Sequence, residues 1–309
     1  MSYRLVRVVG AAAVAAATAA SIAGCGAEAA APGGDGPVAV VASTDVWASV
    51  VEAVGGDQVQ VTAVVAGQAG DPHSHQVSAR DAAHLRGAEL VVHNGGGYDS
   101  WVEQALGDGG PRRVTAFELR PGKARGGDDG DDNEHVWYDL PTVAMVAGEV
   151  ASQLSLIRPS AKAAFIAGAD AFDARLDALE AEVSRLSTAD KPGTVVATEP
   201  VAHYLLRAAG VTDATPPEFA EAIEEETDPP AAAVAETQRL ITERQVTALV
   251  HNPQTETPVI TDLIAAARTA GLPVVDTTET LPSGQDYLTW MGNQIRALSV
   301  ALAGALTGP

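Results

Sequence analysis

The sequence predicts an α/β protein of two lobes, each a mostly parallel sheet flanked by helices, joined by one long rigid helix. Short apolar segments alternate with helical segments from residue 38 to residue 117, and the same alternation returns from residue 194 to residue 306. Strands that alternate with helices form parallel sheets with both faces covered. Between the two series, residues 141–187 are helical in character almost throughout.

The first series begins at Pro37-Val38-Ala39-Val40-Val41-Ala42, a short apolar run that is typical of a buried strand. Ser43-Thr44-Asp45 offers caps for the helix that follows, and Gly55-Gly56 closes it. In order, the predicted elements are strand 38–42, helix 46–54, strand 59–65, helix 78–86, strand 89–92, helix 98–106 and strand 113–117.

The segment that joins the lobes is predicted from its periodicity. Apolar residues recur at steps of three and four, which indicates an amphipathic helix long enough to run the length of the molecule; they are Phe165, Ala169, Phe172, Leu176, Leu179, Val183 and Leu186. Arg158-Pro159-Ser160 interrupts the helical stretch before it. We therefore expect an N-terminal lobe over 37–160, a linking helix over 161–189 and a C-terminal lobe over 190–309.

The second series repeats the pattern of the first after Pro192. The repetition predicts a second parallel sheet. In order, its predicted elements are strand 194–197, helix 201–209, helix 229–243, strand 248–250, helix 259–270, strand 273–275 and helix 286–306.

The N-terminus has the features of a secretory signal. Arg4 and Arg7 precede an alanine-valine run, and Ile22-Ala23-Gly24 leads to Cys25, the only cysteine of the 309 residues. Small residues before a lone cysteine indicate a bacterial lipoprotein signal over 1–24, with lipidation of Cys25 and a flexible tether over 25–36. The alternatives are an ordinary signal peptide and a transmembrane anchor, although the run is shorter than the ~20 residues that a spanning helix needs.

Composition narrows the function classes. The formal net charge is −21, which argues against binding of nucleic acid or of an anionic lipid surface and suits the attraction of cations. A single cysteine excludes an internal disulfide, and a hydrophobic content of 46% is enough for sizeable cores. No later stretch approaches 18 uninterrupted apolar residues, so we expect a soluble body outside the cytoplasmic membrane.

Two histidines and three carboxylates follow predicted strands. His73 lies in a loop after the second strand, and His135 precedes Val136-Trp137-Tyr138. Glu199, Asp276 and Glu279 follow strands of the second lobe, where each also fits a helix cap or a solvated loop acid. Because open α/β sheets bind ligands beyond the carboxyl ends of their strands, these side chains predict a nitrogen and oxygen cage between the lobes. Such a cage suits zinc or manganese.

These motifs together resemble the zinc and manganese solute-binding lipoproteins of bacterial ABC importers, over about residues 38–306. Gly70-Asp71-Pro72-His73 is similar to the first ligand loop of that family, and Asn133-Glu134-His135-Val136-Trp137 is similar to the second. Thr198-Glu199-Pro200 matches the third motif, with Glu199 at a place where zinc-type members often have histidine and manganese-type members have glutamate. Glu279, or alternatively Asp276, takes the fourth place.

The resemblance implies a monomeric binding protein that captures Zn²⁺ or Mn²⁺ and delivers it to an ABC permease, with no enzymatic step. It also implies two α/β lobes on one long helix and little lobe movement. His75 is either an outer contact or an accessory metal contact, and the acidic loop 126–133 either gathers ions or is a solvated spacer. Two other functions stay open: a surface adhesion lipoprotein, and a secreted metalloenzyme, although no His-Glu-x-x-His or Gly-x-Ser-x-Gly motif is present.

Overall fold

A computed structural model describes residues 36–67, 72–124, 133–188 and 193–305. The predicted signal 1–24, the lipidation site Cys25 and all of the tether before Gly36 lie outside the described residues. The acidic stretch 125–132 also lies outside them. These predictions therefore stay predictions.

The first parallel sheet has the strand order β2-β1-β3-β4. Its strands are β1 (Val38–Thr44), β2 (Val59–Val65), β3 (Leu90–His93) and β4 (Arg112–Thr115). The helices of this half are α1 (Asp45–Gly55), α2 (Ala79–Gly87), α3 (Ser100–Leu106) and the single turn α4 (Pro121–Ala124). Each of the four strands was expected. β4 is shorter than the predicted strand 113–117, because a 3₁₀ turn, Ala116–Leu119, begins directly after Thr115.

Two long helices follow the first sheet, α5 (Leu140–Ile157) and the linking helix α6 (Lys162–Ser187), with a 3₁₀ turn at Pro159–Ala161 between them. The interruption lies where Arg158-Pro159-Ser160 predicted it, because proline has no amide hydrogen for a helix interior. Among the described residues, α5 alone is long and apolar enough to cross a membrane. Its buried face packs in the protein core, which is typical of a core helix.

The second parallel sheet has the order β6-β5-β7-β8, which repeats the layout of the first. Its strands are β5 (Thr194–Ala197), β6 (Thr212–Asp213), β7 (Ala248–His251) and β8 (Val274–Asp276). The helices are α7 (His203–Ala208), α8 (Pro217–Glu224), α9 (Ala231–Thr242), α10 (Pro258–Ala270) and α11 (Tyr287–Ala305). β6 and α8 were not predicted from the sequence, and both lie between the predicted helices 201–209 and 229–243.

The buried residues divide by strand face. In β1, Val38, Val40 and Ala42 face a large central core, whereas Val41 faces a smaller cluster on the outer side of the sheet. The period of two that strands impose on side chains produces this division. β7 repeats it, with Val250 in the central core and Leu249 in an outer cluster. The central core therefore contains residues of both sheets, of α5, of α6 and of α11.

The linking helix α6 packs closely on α1. At Gly168 an added Cβ atom would lie 2.2 Å from the carbonyl oxygen of Val54, so only glycine permits this approach of the two backbones. A long helix that links two parallel sheets confirms the predicted fold class. The residue boundaries that we assign to the lobes stay a prediction.

Candidate metal centre

The two predicted histidine ligands lie together beyond the carboxyl ends of the first sheet. His73 is in the loop after β2, and His135 directly precedes the 3₁₀ turn Val136–Tyr138. Their ring centroids are 6.0 Å apart. Tyr98 packs its ring edge-on at 4.4 Å from His73, and Trp137 packs at 5.1 Å from His135, so aromatic rings wall this side of the site.

A carboxylate that the sequence analysis missed completes a group of three with these histidines. One ligand atom each of His73, His135 and Glu224 lies within 4.8 Å of the other two. Glu224 Oε1 is 3.4 Å from His135 Nε2 and 3.7 Å from His73 Nε2. Glu279 adds a second carboxylate, with its Oε2 also 3.7 Å from His73 Nε2. The atoms that face one another are thus two imidazole nitrogens and two carboxylate oxygens.

These distances fit a shared metal ion better than direct hydrogen bonds. Direct N–H···O bonds measure about 2.7–3.2 Å, which is shorter than all three nitrogen-to-oxygen distances. Ligand atoms at about 2.0–2.1 Å from a tetrahedral ion lie about 3.3 Å from one another. The observed spacing of 3.4 Å between His135 Nε2 and Glu224 Oε1 is close to that edge length.

A contact of His135 Nδ1 determines which ring nitrogen of His135 carries the proton. His135 Nδ1 lies 3.2 Å from Asn133 Oδ1, and the Asn133 amide nitrogen donates to the Pro200 carbonyl at 3.0 Å, which orients the amide. Because an amide oxygen only accepts, Nδ1 carries the proton and Nε2 presents its lone pair to Glu224. Nε2 is buried and has no hydrogen-bond partner among the described residues.

Burial also holds His135 in the form that binds metals. The side chain is fully buried, and loss of solvent lowers the pKa of its imidazole well below the usual range, with further lowering from His73 and His203. A metal-ligating histidine must be neutral. The site therefore presents His135 ready to coordinate an ion near neutral pH.

Glu279 is held from three directions. The Tyr98 hydroxyl donates to its Oε2 at 3.0 Å, the Asn252 amide donates to its Oε1 at 2.8 Å, and its own backbone N–H donates to Gln254 at 2.8 Å. The residue is only 2% exposed. Tyr98 belongs to the first half of the chain and Glu279 to the second, so this contact also joins the two halves.

The other two predicted carboxylates differ from Glu279 in their surroundings. Asp276 is 67% exposed, and its Oδ1 lies 3.1 Å from His251 Nδ1. Of the two candidates for the fourth ligand, the geometry thus favours Glu279. Glu199 is buried and accepts a hydrogen bond from the Thr255 hydroxyl at 2.6 Å, and the three-residue group does not include it. Glu199 as a ligand stays a prediction.

Local structure at the end of α8 places Glu224. Phe219, Ala222 and Ile223 bury one face of this helix, and Glu224 is its last residue. Glu226 then takes a left-handed conformation with φ of 52°, its N–H donates to the Ile223 carbonyl, and the Thr227 N–H donates to the Ala222 carbonyl. This pair of bonds is a Schellman motif, which ends the helix at a defined residue. The acidic run Glu224-Glu225-Glu226 was the available sequence signal.

Comparison with known proteins decides the family. The model of a family described as "Zinc-uptake complex component A periplasmic" (ZnuA) matches residues 40–301. The chain belongs to the ZnuA family. As a member of this family it is a binding protein and not an enzyme, and the family's periplasmic description agrees with the extracytoplasmic location expected from the sequence.

A curated relative and two solved structures show how this ZnuA-family chain compares with individual proteins. The manganese-binding lipoprotein MntA of Bacillus subtilis (strain 168) is 28% identical over 149 residues, which are 47% of this chain and 48% of MntA. The match thus spans about half the length of that curated relative. The periplasmic zinc-binding protein TroA from Treponema pallidum superposes with a TM-score of 0.71 at 20% identity, over 87% of this chain and 99% of TroA.

A third similar structure is the laminin-binding protein Lmb of Streptococcus agalactiae. It superposes with a TM-score of 0.69 at 20% identity, over 85% of this chain and 98% of Lmb. Lmb is described as a bifunctional protein with adhesin and metal-transporting activity. At these identities, TroA and Lmb support the two-lobed fold of this ZnuA-family chain.

Proposed function

We propose that the protein captures a divalent transition metal ion outside the cytoplasmic membrane and delivers it to an ABC permease for import. The observation that carries this proposal is the convergence of His73, His135, Glu224 and Glu279 on one small space between the two halves of the chain. Membership of the ZnuA family supports it. In this proposal Cys25 holds a monomer to the outer face of the membrane through its lipid, and the metal is cargo.

Zinc is the first candidate for the cargo and manganese the second. Two imidazole nitrogens with two carboxylates accept either ion, and for a given set of ligands the order of intrinsic affinity places zinc far above manganese. The MntA relative, described as manganese-binding, keeps manganese open as the alternative. Four protein ligands would leave no position for a reactive water, which fits binding and release without catalysis.

Metal titration tests the proposal. Residues 35–309 form one compact unit that can be produced without the lipid anchor, stripped with a chelator and titrated with zinc and with manganese by calorimetry. We expect one tight equivalent, lost in His73→Ala and kept in His84→Ala, which removes a histidine of α2. Equal binding by the two variants would show that the described group does not hold the ion.

The same titration separates transport from the adhesion alternative. An adhesion protein without a metal role predicts no stoichiometric metal in wild-type protein. A tight equivalent that depends on His73 would therefore favour transport. The preference between zinc and manganese in competition would then name the cargo.

A further inference from the structure

A groove of about 1380 Å³ runs between the edge of the second sheet and the terminal helix α11. Strand β8 is the last strand of its sheet, so one side of its backbone faces this groove. The groove has a largely apolar floor that includes Leu272 and Val274, and Val300, which is 69% exposed, lies on its α11 side. None of the metal-facing residues lines it.

Positive charge is concentrated at this groove. Arg244, Arg268 and Arg296 all line it and are exposed. Among the described residues, none of the three has a carboxylate partner, whereas Arg239 nearby in sequence binds both Glu236 and Glu243. Asp276 is the only acid that lines the groove in the part of the chain that the structure describes, and it already contacts His251. Three cations that no described carboxylate neutralises are therefore grouped on a chain whose net charge is −21, and Arg296 among them donates to Asn293 Oδ1 at 2.8 Å.

The backbone of β8 also presents N–H and C=O groups that can form hydrogen bonds with a guest in the groove. The Pro273 carbonyl accepts from Leu249 at 3.0 Å and the Thr277 N–H donates to His251 at 2.8 Å, so these alternate positions face β7. Because successive residues of a strand turn their N–H and C=O groups to opposite sides, those of Val274 point away from β7 and into the groove. No described residue forms a hydrogen bond with them. At Asp276 the outward carbonyl lies 2.8 Å from the side-chain amide of Gln294, which donates to it when the amide is oriented to satisfy this contact. Val274 thus leaves an open place for a further strand.

We propose that this groove docks an extended acidic segment of a partner protein, which pairs with the edge of β8 and places its carboxylates against Arg244, Arg268 and Arg296. Strand addition at an open edge obtains affinity from main-chain hydrogen bonds and specificity from alternate side chains. Alternate residues of the guest would rest on the apolar floor. An anionic lipid headgroup would leave the N–H and C=O of Val274 unpaired, whereas a peptide strand can pair with both.

Two matched peptides test this proposal on residues 35–309 loaded with zinc. The probe is a fluorescein-labelled octapeptide of alternating glutamate and valine, followed by fluorescence anisotropy at low ionic strength, where charges act over more than about 10 Å. Its control alternates glutamate and proline, which keeps the charge and removes the N–H groups that a strand needs. We expect the valine peptide to bind at least about tenfold more tightly.

Matched protein variants test the charges. Arg244→Gln, Arg268→Gln and Arg296→Gln combined should weaken binding of the valine peptide by at least about tenfold. The combination Arg80→Gln, Arg86→Gln and Arg185→Gln changes the net charge equally, outside the groove, and should change the affinity by less than about twofold. Circular dichroism of both triple variants checks that they are folded.

Several results would overturn the proposal. These are no binding of the valine peptide, equal binding of the two peptides, and equal weakening by the two triple variants. Vesicles that contain phosphatidylglycerol supply the remaining comparison. If they bind wild-type protein in a way that only the groove arginines support, and the peptide does not bind, the guest is a lipid headgroup.

Discussion

Among single residues, Glu224 is expected to have a direct effect on metal affinity. Its Oε1 faces both His73 and His135, so in our proposal the Glu224 carboxylate binds the metal ion directly. We predict that Glu224→Gln, which keeps the size and removes the charge, weakens zinc binding by at least about 100-fold, above the ~10–100-fold typical of outer contacts. Calorimetric titration measures this change.

The neighbouring Glu225 provides a matched control for that prediction. It is exposed, and it lies outside the group of three. Glu225→Gln should therefore keep the wild-type affinity. If both variants bind zinc equally tightly, Glu224 is not a ligand.

The fourth ligand gives a second test at single positions. Glu279 is buried against His73, Tyr98 and Asn252, whereas Asp276 is mostly exposed. We predict that Glu279→Gln weakens zinc binding by at least about tenfold and that Asp276→Asn leaves it within about twofold.

Glu199→Gln belongs in the same titration series, because Glu199 stays a predicted ligand. A loss as large as that of Glu279→Gln would place its carboxylate among the ligands. The reverse order of effects at Glu279 and Asp276 would contradict the assignment of the fourth position.

Among the helices, the close contact of α6 with α1 depends on glycine at position 168, which has no side chain. A Cβ atom at Gly168 would overlap the Val54 carbonyl, whereas one at Gly148, on the exposed side of α5, would meet nothing within 4 Å. We predict that Gly168→Ala lowers the free energy of unfolding by about 1–3 kcal/mol because the helices must separate. Gly148→Ala should raise it by about 0.5–1 kcal/mol through helix propensity. Urea unfolding of both variants measures the difference, and equal effects would contradict the close contact.

The N-cap of α11 should make the stability of the protein depend on pH. Asp286 Oδ1 accepts the Thr289 backbone N–H at 2.7 Å, which is an N-cap, and its hydrogen bonds to Thr289 lower the pKa of the Asp286 carboxyl. A lowered pKa in the folded protein gives stability that is present above the usual aspartate pKa and is lost as pH falls through the folded value.

We therefore predict that Asp286→Ala costs about 1 kcal/mol of unfolding free energy at pH 7. The difference from wild type should shrink as the pH falls below about 3.9. Urea unfolding across this pH range measures it. A difference that is the same at pH 7 and at pH 3 would show that the cap does not depend on the carboxylate.

The elements that the sequence predicted well share one property, a strong local pattern. β2 was predicted at its observed bounds, and the break before α6 was predicted from Pro159. The missed helix α8 is only eight residues long and buries three apolar side chains, which is too little periodic signal to recognise. Glu224 is the last residue of this helix. Because the helix was not predicted from the sequence, its candidate ligand was not predicted either.

In the molecule as a whole, the two halves share a central core. Tyr287 and Trp290 of α11 belong to the same cluster as residues of β1, and the Tyr138 hydroxyl donates to the Thr278 carbonyl at 2.9 Å. Contacts of this kind join the halves close to the metal-facing residues. Binding of an ion there should therefore stabilise the two halves together.

This linkage can be measured by thermal unfolding of residues 35–309. A ligand that binds only the folded state at 100 times its dissociation constant adds about 2.7 kcal/mol of stability. We predict that zinc at that excess raises the Tm by several degrees in one cooperative transition, and that a chelator reverses the rise. Glu224→Gln should lose most of it. The same rise in wild type and variant would place the ion elsewhere.

The sequence by itself determined the alternation of strands and helices, the long linking helix and the place of both histidines beyond the carboxyl ends of the first sheet. These features follow from local periodicity, from proline and glycine chemistry and from the tendency of parallel sheets to gather loops at one edge. The tertiary structure decided which carboxylates face His73 and His135. Glu199, Glu224, Asp276 and Glu279 are similar acids in sequence. Only the close approach of α8 and of the loop after β8 to the first sheet distinguishes them, because distance and burial depend on packing between segments far apart in the chain.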